Sequence, residues 1–156
     1  MIKTTHPITI PYTYDPNKKG AHYTINGTDY MNHGQFVQIA LVASLYNRID
    51  RPDHVAYNVD SDIPELHESV KSSKATLVNT FLGNDFDTVL NVFFENVAST
   101  QFSWCILLEN EIVRYVMNRN EFRKFTETFA TFDNSRKVIR YKTTSTKMIQ
   151  YLENGL

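Results

Sequence analysis

The spacing of apolar residues along the chain predicts four helices. The longest run, at 33–49, is apolar on almost every side, which is typical of a helix buried between two layers. Asn32 precedes this run and Gln35 follows three positions later, which is the spacing of a capping box at a helix start. The remaining helices are predicted at 86–98, after Asn118 and after Ser145.

Short runs rich in β-branched and aromatic residues predict strands between these helices. They lie at 54–59, 67–72, 75–81, 102–108, 112–117 and 138–142. Pro64 predicts a bend between the first two, because proline donates no hydrogen bond to a sheet. The first 31 residues alternate β-favouring pieces, such as 8–10, with turn signals such as Asn26-Gly27. We expect an extended or hairpin arm here that either packs on the core or reaches to a partner.

Length and composition indicate one globular domain. A chain of 156 residues can build one core but is short for two, and it contains no internal repeat or low-complexity linker. We therefore treat 1–156 as a single domain with an arm at 1–31, a core at 32–108 and additions at 109–156. The net charge of −1 creates no overall field that attracts a nucleic acid, so only local patches can do so.

The sequence contains no pattern typical of a signal peptide or a membrane-spanning helix. The N-terminus lacks a long apolar core, and no apolar stretch approaches the roughly 18 residues that cross a bilayer. We expect a cytoplasmic protein without a membrane partner. The single cysteine, Cys105, lies in the apolar run 102–108 and is expected to be buried.

Acids, a lysine and small hydroxyls are concentrated at 60–73. Asp62 precedes a predicted bend, and Lys71 lies at the end of the following predicted strand. Metal-dependent nucleases assemble their sites from such an acid, turn and strand lysine. The segment Asp62…Ser69-Val70-Lys71 resembles the core motif of the PD-(D/E)XK, or restriction-endonuclease-like, superfamily. In that motif the residue two before the lysine is Asp or Glu, and this chain departs from it at Ser69.

The resemblance implies an α/β fold with the restriction-endonuclease-like αβββαβ core, in which helices flank a mixed sheet. The elements predicted between 33 and 108 follow that order: helix, strand, strand, strand, helix, strand. An N-terminal β arm and C-terminal β-α additions would lie outside this core.

The resemblance also implies a metal-dependent DNA endonuclease of the restriction, defence or mobile-element type. Asp62 would hold Mg²⁺, with Mn²⁺ as a substitute, and Lys71 would act on the attacking water and the phosphate. Gln38 lies where many members carry a helix glutamate, so Gln38 and Ser69 would complete the catalytic group. Cleavage of both DNA strands by so small a domain implies a two-fold homodimer.

The resemblance implies a further metal ligand, the backbone carbonyl of Val70, the residue before the lysine. Glu65 lies in the bend at Pro64, from which its carboxylate can turn toward Asp62 as another metal ligand. Alternation along a strand puts Ser69 and Lys71 on one face, and Glu68 and Val70 on the other. Glu68 therefore does not replace the missing acid unless a bulge shifts the register by one.

Basic residues cluster near the end of the chain, with no acid among them until Glu153. Such a patch can neutralise several DNA phosphates and would make binding dependent on salt. Its members are Arg136, Lys137, Arg140, Lys142 and Lys147. The hydroxyl run 143–146, just before a predicted helix, can also hold a phosphate. A solvated strand and helix edge explains the same pattern without a ligand.

Two other functions stay open. The missing acids also fit a nuclease-like fold that has lost catalysis and serves as a DNA-binding or protein-binding module. A small structural or assembly protein with an exposed aromatic arm is the third alternative. An Asp62→Ala substitution separates the first two, because it abolishes cleavage in an enzyme and leaves binding intact in a binding module.

Overall fold

A computed structural model describes residues 1–27, 29–50, 61–77 and 83–155. In chain order its elements are β1 (Ile2–Pro7), β2 (Thr13–Tyr14), β3 (Tyr23–Thr24), β4 (Tyr30–Met31), α1 (His33–Tyr46), a 3-10 turn (Pro64–Leu66), β5 (Glu68–Lys71), α2 (Phe86–Asn96), β6 (Gln101–Leu107), β7 (Glu111–Asn118), α3 (Arg119–Phe129), β8 (Ala130–Asp133), β9 (Val138–Tyr141) and α4 (Thr146–Asn154). The described residues therefore form a mixed α/β protein with four α-helices, as predicted.

A four-stranded mixed sheet forms the centre of the molecule. Its strand order is β1-β7-β6-β5, in which β5 and β6 run parallel and the other neighbours run antiparallel. Parallel neighbours need a crossover connection, and α2 lies in the connection between β5 and β6. The parallel register pairs Lys71 with Trp104 and Glu68 with Gln101.

Helix α1 lies between two sheets. Asn32 Oδ1 accepts the Gln35 N–H at 2.8 Å and Gln35 Oε1 accepts the Asn32 N–H at 3.0 Å, so the predicted capping box is confirmed. Seven residues of α1 are buried, and Phe36 on its outer side stacks on Tyr23 of the small β2-β3-β4 sheet at 4.7 Å. The helix ends at Tyr46, three residues before the predicted end, and its C-cap Asn47 adopts a left-handed conformation.

The opposite side of the central sheet carries the larger apolar core. Phe102 and Trp104 of β6 are fully buried there against α3. Phe102 stacks on Phe122 with ring centroids 4.3 Å apart, and Phe125 contacts Trp104. The sequence predicted both the α3 aromatic stripe and the burial of Cys105, which lies in the sheet on the α1 side.

The N-terminal segment is part of the central sheet. The strand lies at Ile2–Pro7 and pairs along β7 from Ile2 with Val116 to Pro7 with Glu111, whereas the β-favouring piece predicted at 8–10 is not a strand. Strand β7 lies between β1 and β6, and pairing on both sides satisfies its backbone groups. Strands from all three predicted segments, 1–31, 32–108 and 109–156, therefore share one sheet.

The three consecutive strands predicted after α1 are described only in part. The first, at 54–59, lies outside the described residues, and the second is confirmed as β5. In the third, Ala75 and Leu77 form backbone hydrogen bonds with Tyr141 and Ile139 of β9, and residues 78–81 lie outside the described part.

Among the described helices, none has the length and apolar character needed to cross a membrane.

Candidate active site

A cleft of about 1030 Å³ lies where the N-terminal part of α1, strand β5 and the β8-β9 hairpin approach one another. Its walls include four of the predicted catalytic or metal-binding residues. These are Gln38, Asp62, Val70 and Lys71. Arg136, from the predicted DNA-binding patch, lines the same cleft. The fold thus brings together residues that lie up to about a hundred positions apart in the chain.

Asp62 is tied to the strand that carries Lys71. Its Oδ2 atom accepts the backbone N–H of Val70 at 2.8 Å and lies 3.5 Å from the donating Ser69 hydroxyl. The chain folds back between these residues because Ile63 and Glu68 exchange two backbone hydrogen bonds, at 3.0 and 3.2 Å, around the 3-10 turn. Asp62 Oδ1 accepts no hydrogen bond from the described residues, so this oxygen is available to a ligand.

Lys71 lies at the end of β5 and is half-buried. Burial lowers the pKa of its ammonium group, and the nearby Asp62 carboxylate raises it by a smaller amount. Lys71 forms no ion pair with a described residue. A partly dehydrated ammonium beside a carboxylate can orient a water molecule or contact a phosphate oxygen.

Ser69 and Gln38 occupy different positions relative to the cleft. Ser69 is buried and does not line the cleft, and its hydroxyl lies 3.5 Å from Asp62 Oδ2, at the limit of a hydrogen bond. Gln38 is half-buried on α1 and lines the cleft. Its amide oxygen and N–H groups can therefore contact a bound water or ligand.

Glu65 does not join the cleft. Its side chain is exposed and forms an ion pair with Arg48, with 2.5 Å between Oε2 and Nη1. The hydrogen bond from Arg48 lowers the pKa of the Glu65 carboxyl. The structure therefore does not place this predicted metal ligand beside Asp62, because the 3-10 turn presents Glu65 to Arg48 at the end of α1.

Glu68 lies on the opposite face of β5 from Lys71, as strand alternation predicts. It is fully buried, and its carboxylate accepts hydrogen bonds from Gln101 at 2.7 Å and Ser103 at 2.8 Å. Arg114 of β7 binds the same carboxylate through Nε at 3.0 Å and through Nη2. Glu68 is therefore fully used by neighbouring strands and is not available to a metal in the cleft.

Oxygen donors in the cleft are of the type that Mg²⁺ prefers. Among the described residues, Asp62 is the one carboxylate that lines the cleft. Magnesium keeps several water ligands, so a few protein oxygens are enough to hold it. Asp62 and the Val70 carbonyl thus fit a magnesium ion chemically. In the described parts of the chain, no three His, Cys, Asp or Glu side chains converge as a metal cluster.

Three basic or titratable residues at the cleft were not predicted from the sequence. They are His22, His33 and Lys74. His33 Nδ1 lies 3.3 Å from the Ser72 hydroxyl, and burial lowers the pKa of the His33 ring. Two features of the sequence could have pointed to these residues: His33 follows the helix cap Asn32, and Lys74 lies three residues after Lys71.

The residues of the predicted basic patch differ in their position and in their contacts. Arg136 lines the cleft, whereas Arg140 pairs with Asp133 at 3.1 Å and Lys137 Nζ donates to Asn134 at 2.8 Å. Hydrogen bonds from Ser135 and Arg140 lower the pKa of Asp133 to about 2. The exposed side chains of the other two members, Lys142 and Lys147, do not line the cleft.

The hydroxyl run at 143–146 has structural partners. Thr144 Oγ1 accepts the Trp104 indole N–H at 3.0 Å and lies 2.8 Å from Ser73 Oγ. Ser145 caps α4 by accepting the Met148 N–H at 3.2 Å. Two hydroxyls of this run are therefore occupied by the fold.

A scan against protein-family models and searches of curated proteins and of solved structures found no match to this chain.

Proposed function

We propose that this protein is a metal-dependent DNA endonuclease that hydrolyses phosphodiester bonds in the cleft. One observation carries the proposal: Asp62, Lys71 and Gln38 line the same cleft, and Asp62 is hydrogen-bonded to the strand that bears Lys71. The parallel β5-α2-β6 unit beside α1 is compatible with a restriction-endonuclease-like core. That assignment is part of the proposal.

Each cleft residue has a role in this reaction. Asp62 Oδ1 and the Val70 carbonyl would hold Mg²⁺ or Mn²⁺, and the bound ion would stabilise charge on the phosphate and lower the pKa of a water. Lys71 orients the attacking water and contacts a non-bridging oxygen. Gln38 accepts a hydrogen bond from that water, while the Val70 N–H holds the Asp62 carboxylate in place, assisted by the more distant Ser69 hydroxyl.

The nucleic acid would enter the cleft at Arg136, on the turn between β8 and β9, and Lys137 would lie outside this contact. Arg136 is the member of the basic patch that lines the cleft, and it is exposed. Phosphate contacts of this kind position DNA without reading its sequence. One cleft cuts one strand, so cleavage of a duplex requires two copies related by a two-fold axis, which makes a homodimer part of the proposal.

Nicking of supercoiled plasmid DNA tests the proposal. Purified protein is assayed with Mg²⁺ and with Mn²⁺ alongside Asp62→Ala, Lys71→Ala and the control Glu65→Gln, whose carboxylate lies outside the cleft. We expect cleavage by the wild type and Glu65→Gln, and loss of at least a hundredfold in the other two, the scale of removing a positioned catalytic group. Unchanged melting temperatures show that the variants are folded.

The second candidate is a DNA-binding module that has lost cleavage. The observation that favours it is the pairing of Glu65 with Arg48 and of Glu68 with Arg114, which leaves Asp62 as the cleft carboxylate among the described residues. Absence of cleavage by the wild type across plasmid, linear and single-stranded DNA would overturn the first proposal. Salt-dependent DNA binding that survives Asp62→Ala would then support the second.

A further inference from the structure

We propose that Lys74 and Arg136 form a second phosphate-binding site in the cleft, next to the one at Lys71, and that the ligand is a polynucleotide whose neighbouring phosphates occupy both. This inference deepens the proposed function and rests on it only for the nature of the ligand. It concerns binding, so it can be tested without cleavage.

The charge balance of the cleft supports this site. Lys71, Lys74 and Arg136 line it against the single carboxylate of Asp62 in the described residues. Within that part of the chain none of the three basic side chains forms an ion pair, whereas Arg48, Arg114 and Arg140 each do. A protein with a net charge of −1 therefore concentrates positive charge in one concave surface, which focuses its field on an anion.

The backbone at Lys74 supports a role for its side chain. Lys74 has a φ of +61°, a left-handed conformation that glycine adopts without strain and that an ordinary residue adopts at a cost. Strained residues concentrate at functional sites, and Lys74 combines such a backbone with a place in the cleft lining. Lys137 offers an internal comparison, because it has a φ of +57° but lies outside the cleft lining.

Lys74 and Arg136, the two residues proposed to bind the second phosphate, lie on turns that hydrogen bonds hold in place. The Lys74 N–H donates to the Lys142 carbonyl at 3.2 Å, and the next residue, Ala75, donates to Ser72 at 3.1 Å. The Arg136 N–H donates to Asp133 Oδ1 at 3.2 Å. Fixed turns reduce the entropy lost when these side chains bind a ligand.

The Lys71 and Lys74 positions imply a continuous polyanion as the ligand. Lys71 and Asp62 would hold the reacting phosphate, and Lys74 with Arg136 would hold a neighbouring one. A ligand with a single phosphate fills only one of these sites. We therefore expect a phosphodiester chain to bind more tightly than a mononucleotide.

Equilibrium binding of a fluorescent DNA duplex in EDTA tests this inference while preventing cleavage. We expect Lys74→Gly and Arg136→Gln each to weaken binding about tenfold. Each should also reduce the slope of the logarithm of affinity against the logarithm of salt concentration by about one, the contribution of one phosphate contact. Lys137→Gly is the matched control, and its affinity should stay within about twofold of the wild type, because Lys137 shares the left-handed backbone but does not line the cleft. A mononucleotide competitor should displace the duplex poorly.

Melting temperature supplies a readout that separates binding from folding. Relief of the left-handed strain opposes the extra chain entropy of glycine, so we expect Lys74→Gly to melt at or up to about 3 °C above the wild type. The same substitution that weakens DNA binding should therefore not destabilise the protein. A lower melting temperature would overturn the inference by assigning Lys74 a structural role.

Other outcomes also decide. Equal losses of affinity in Lys74→Gly and Lys137→Gly would overturn the second site by placing the contacts on the whole basic surface. Absence of DNA binding by the wild type would overturn it as well. If Asp62→Ala abolishes cleavage while Lys74→Gly binds normally, the proposed function stands and only this inference is wrong.

Discussion

The two faces of strand β5 use their charges in opposite ways. Glu68 on one face is fully buried and its carboxylate is bound by side chains from β6 and β7. Lys71 on the other face is half-buried, borders an open cleft and forms no ion pair with a described residue. The two residues are three positions apart in the chain, yet one is neutralised within the fold and the other has no ion-pair partner among the described residues.

This difference shows how a strand can serve stability and chemistry together. The Glu68 network extends across the sheet, because Arg114 Nη1 also donates to Thr4 of β1 at 3.3 Å. It therefore joins all four strands of the central sheet through one carboxylate and one guanidinium. A network of this kind can hold β5 in register, which keeps Lys71 and the Asp62 hydrogen bond in place on the other side.

The largest expected effect comes from breaking the buried pair. Glu68→Ala should lower the free energy of unfolding by about 3 to 5 kcal/mol, because Arg114 is left buried without a counter-charge. Urea denaturation measures this loss. A Glu68→Leu and Arg114→Met double variant should recover part of it, since neither charge then remains uncompensated. A loss of less than about 1 kcal/mol in Glu68→Ala would show that water reaches the pair and screens it.

A smaller effect is expected from removing one hydrogen bond to the same carboxylate. Ser103→Ala deletes the 2.8 Å bond to Glu68 and should reduce the free energy of unfolding by about 1.5 kcal/mol, which is typical of a bond to a charged group. Urea denaturation again reports it. If Ser103→Ala is as stable as the wild type, Gln101 and Arg114 alone satisfy the Glu68 carboxylate.

On the cleft face, Lys71 should make the stability of the protein depend on pH. Burial lowers the pKa of folded Lys71 below the ordinary value of 10.5, so the unfolded chain binds more protons between the two values. Wild-type stability therefore gains from Lys71 as pH rises through that window, whereas Lys71→Met does not. We expect the variant's stability advantage in urea at pH 7 to shrink at pH 10. An advantage that grows with pH would contradict the lowered pKa.

The smallest effect is expected at the exposed ion pair beside the cleft. Glu65→Gln breaks the contact with Arg48, in which both side chains are solvent-exposed and screened. We expect no measurable change in melting temperature or in DNA cleavage. Reduced cleavage by Glu65→Gln would bring Glu65 back as a metal ligand and would require the 3-10 turn to move when DNA binds.

The sequence by itself determined the starts of three helices and the alternation of β5. Helix caps at Asn32, Asn118 and Ser145 were predicted and are confirmed, because each cap bonds to a residue only three positions away. The bend between Asp62 and Lys71 was also predictable from the local sequence, because it contains Pro64. The period of two in a strand also correctly placed Glu68 away from Lys71.

Tertiary structure alone decided which distant residues meet. The pairing of β1 with β7, the partnership of Glu65 with Arg48 and the approach of Arg136 to the cleft join segments that are 17 to more than 100 residues apart. No local pattern encodes these contacts, because they depend on which apolar faces pack together and on which strand edges remain unpaired. The left-handed turn at Lys74 likewise includes a hydrogen bond from its N–H to the carbonyl of Lys142, 68 positions further along the chain.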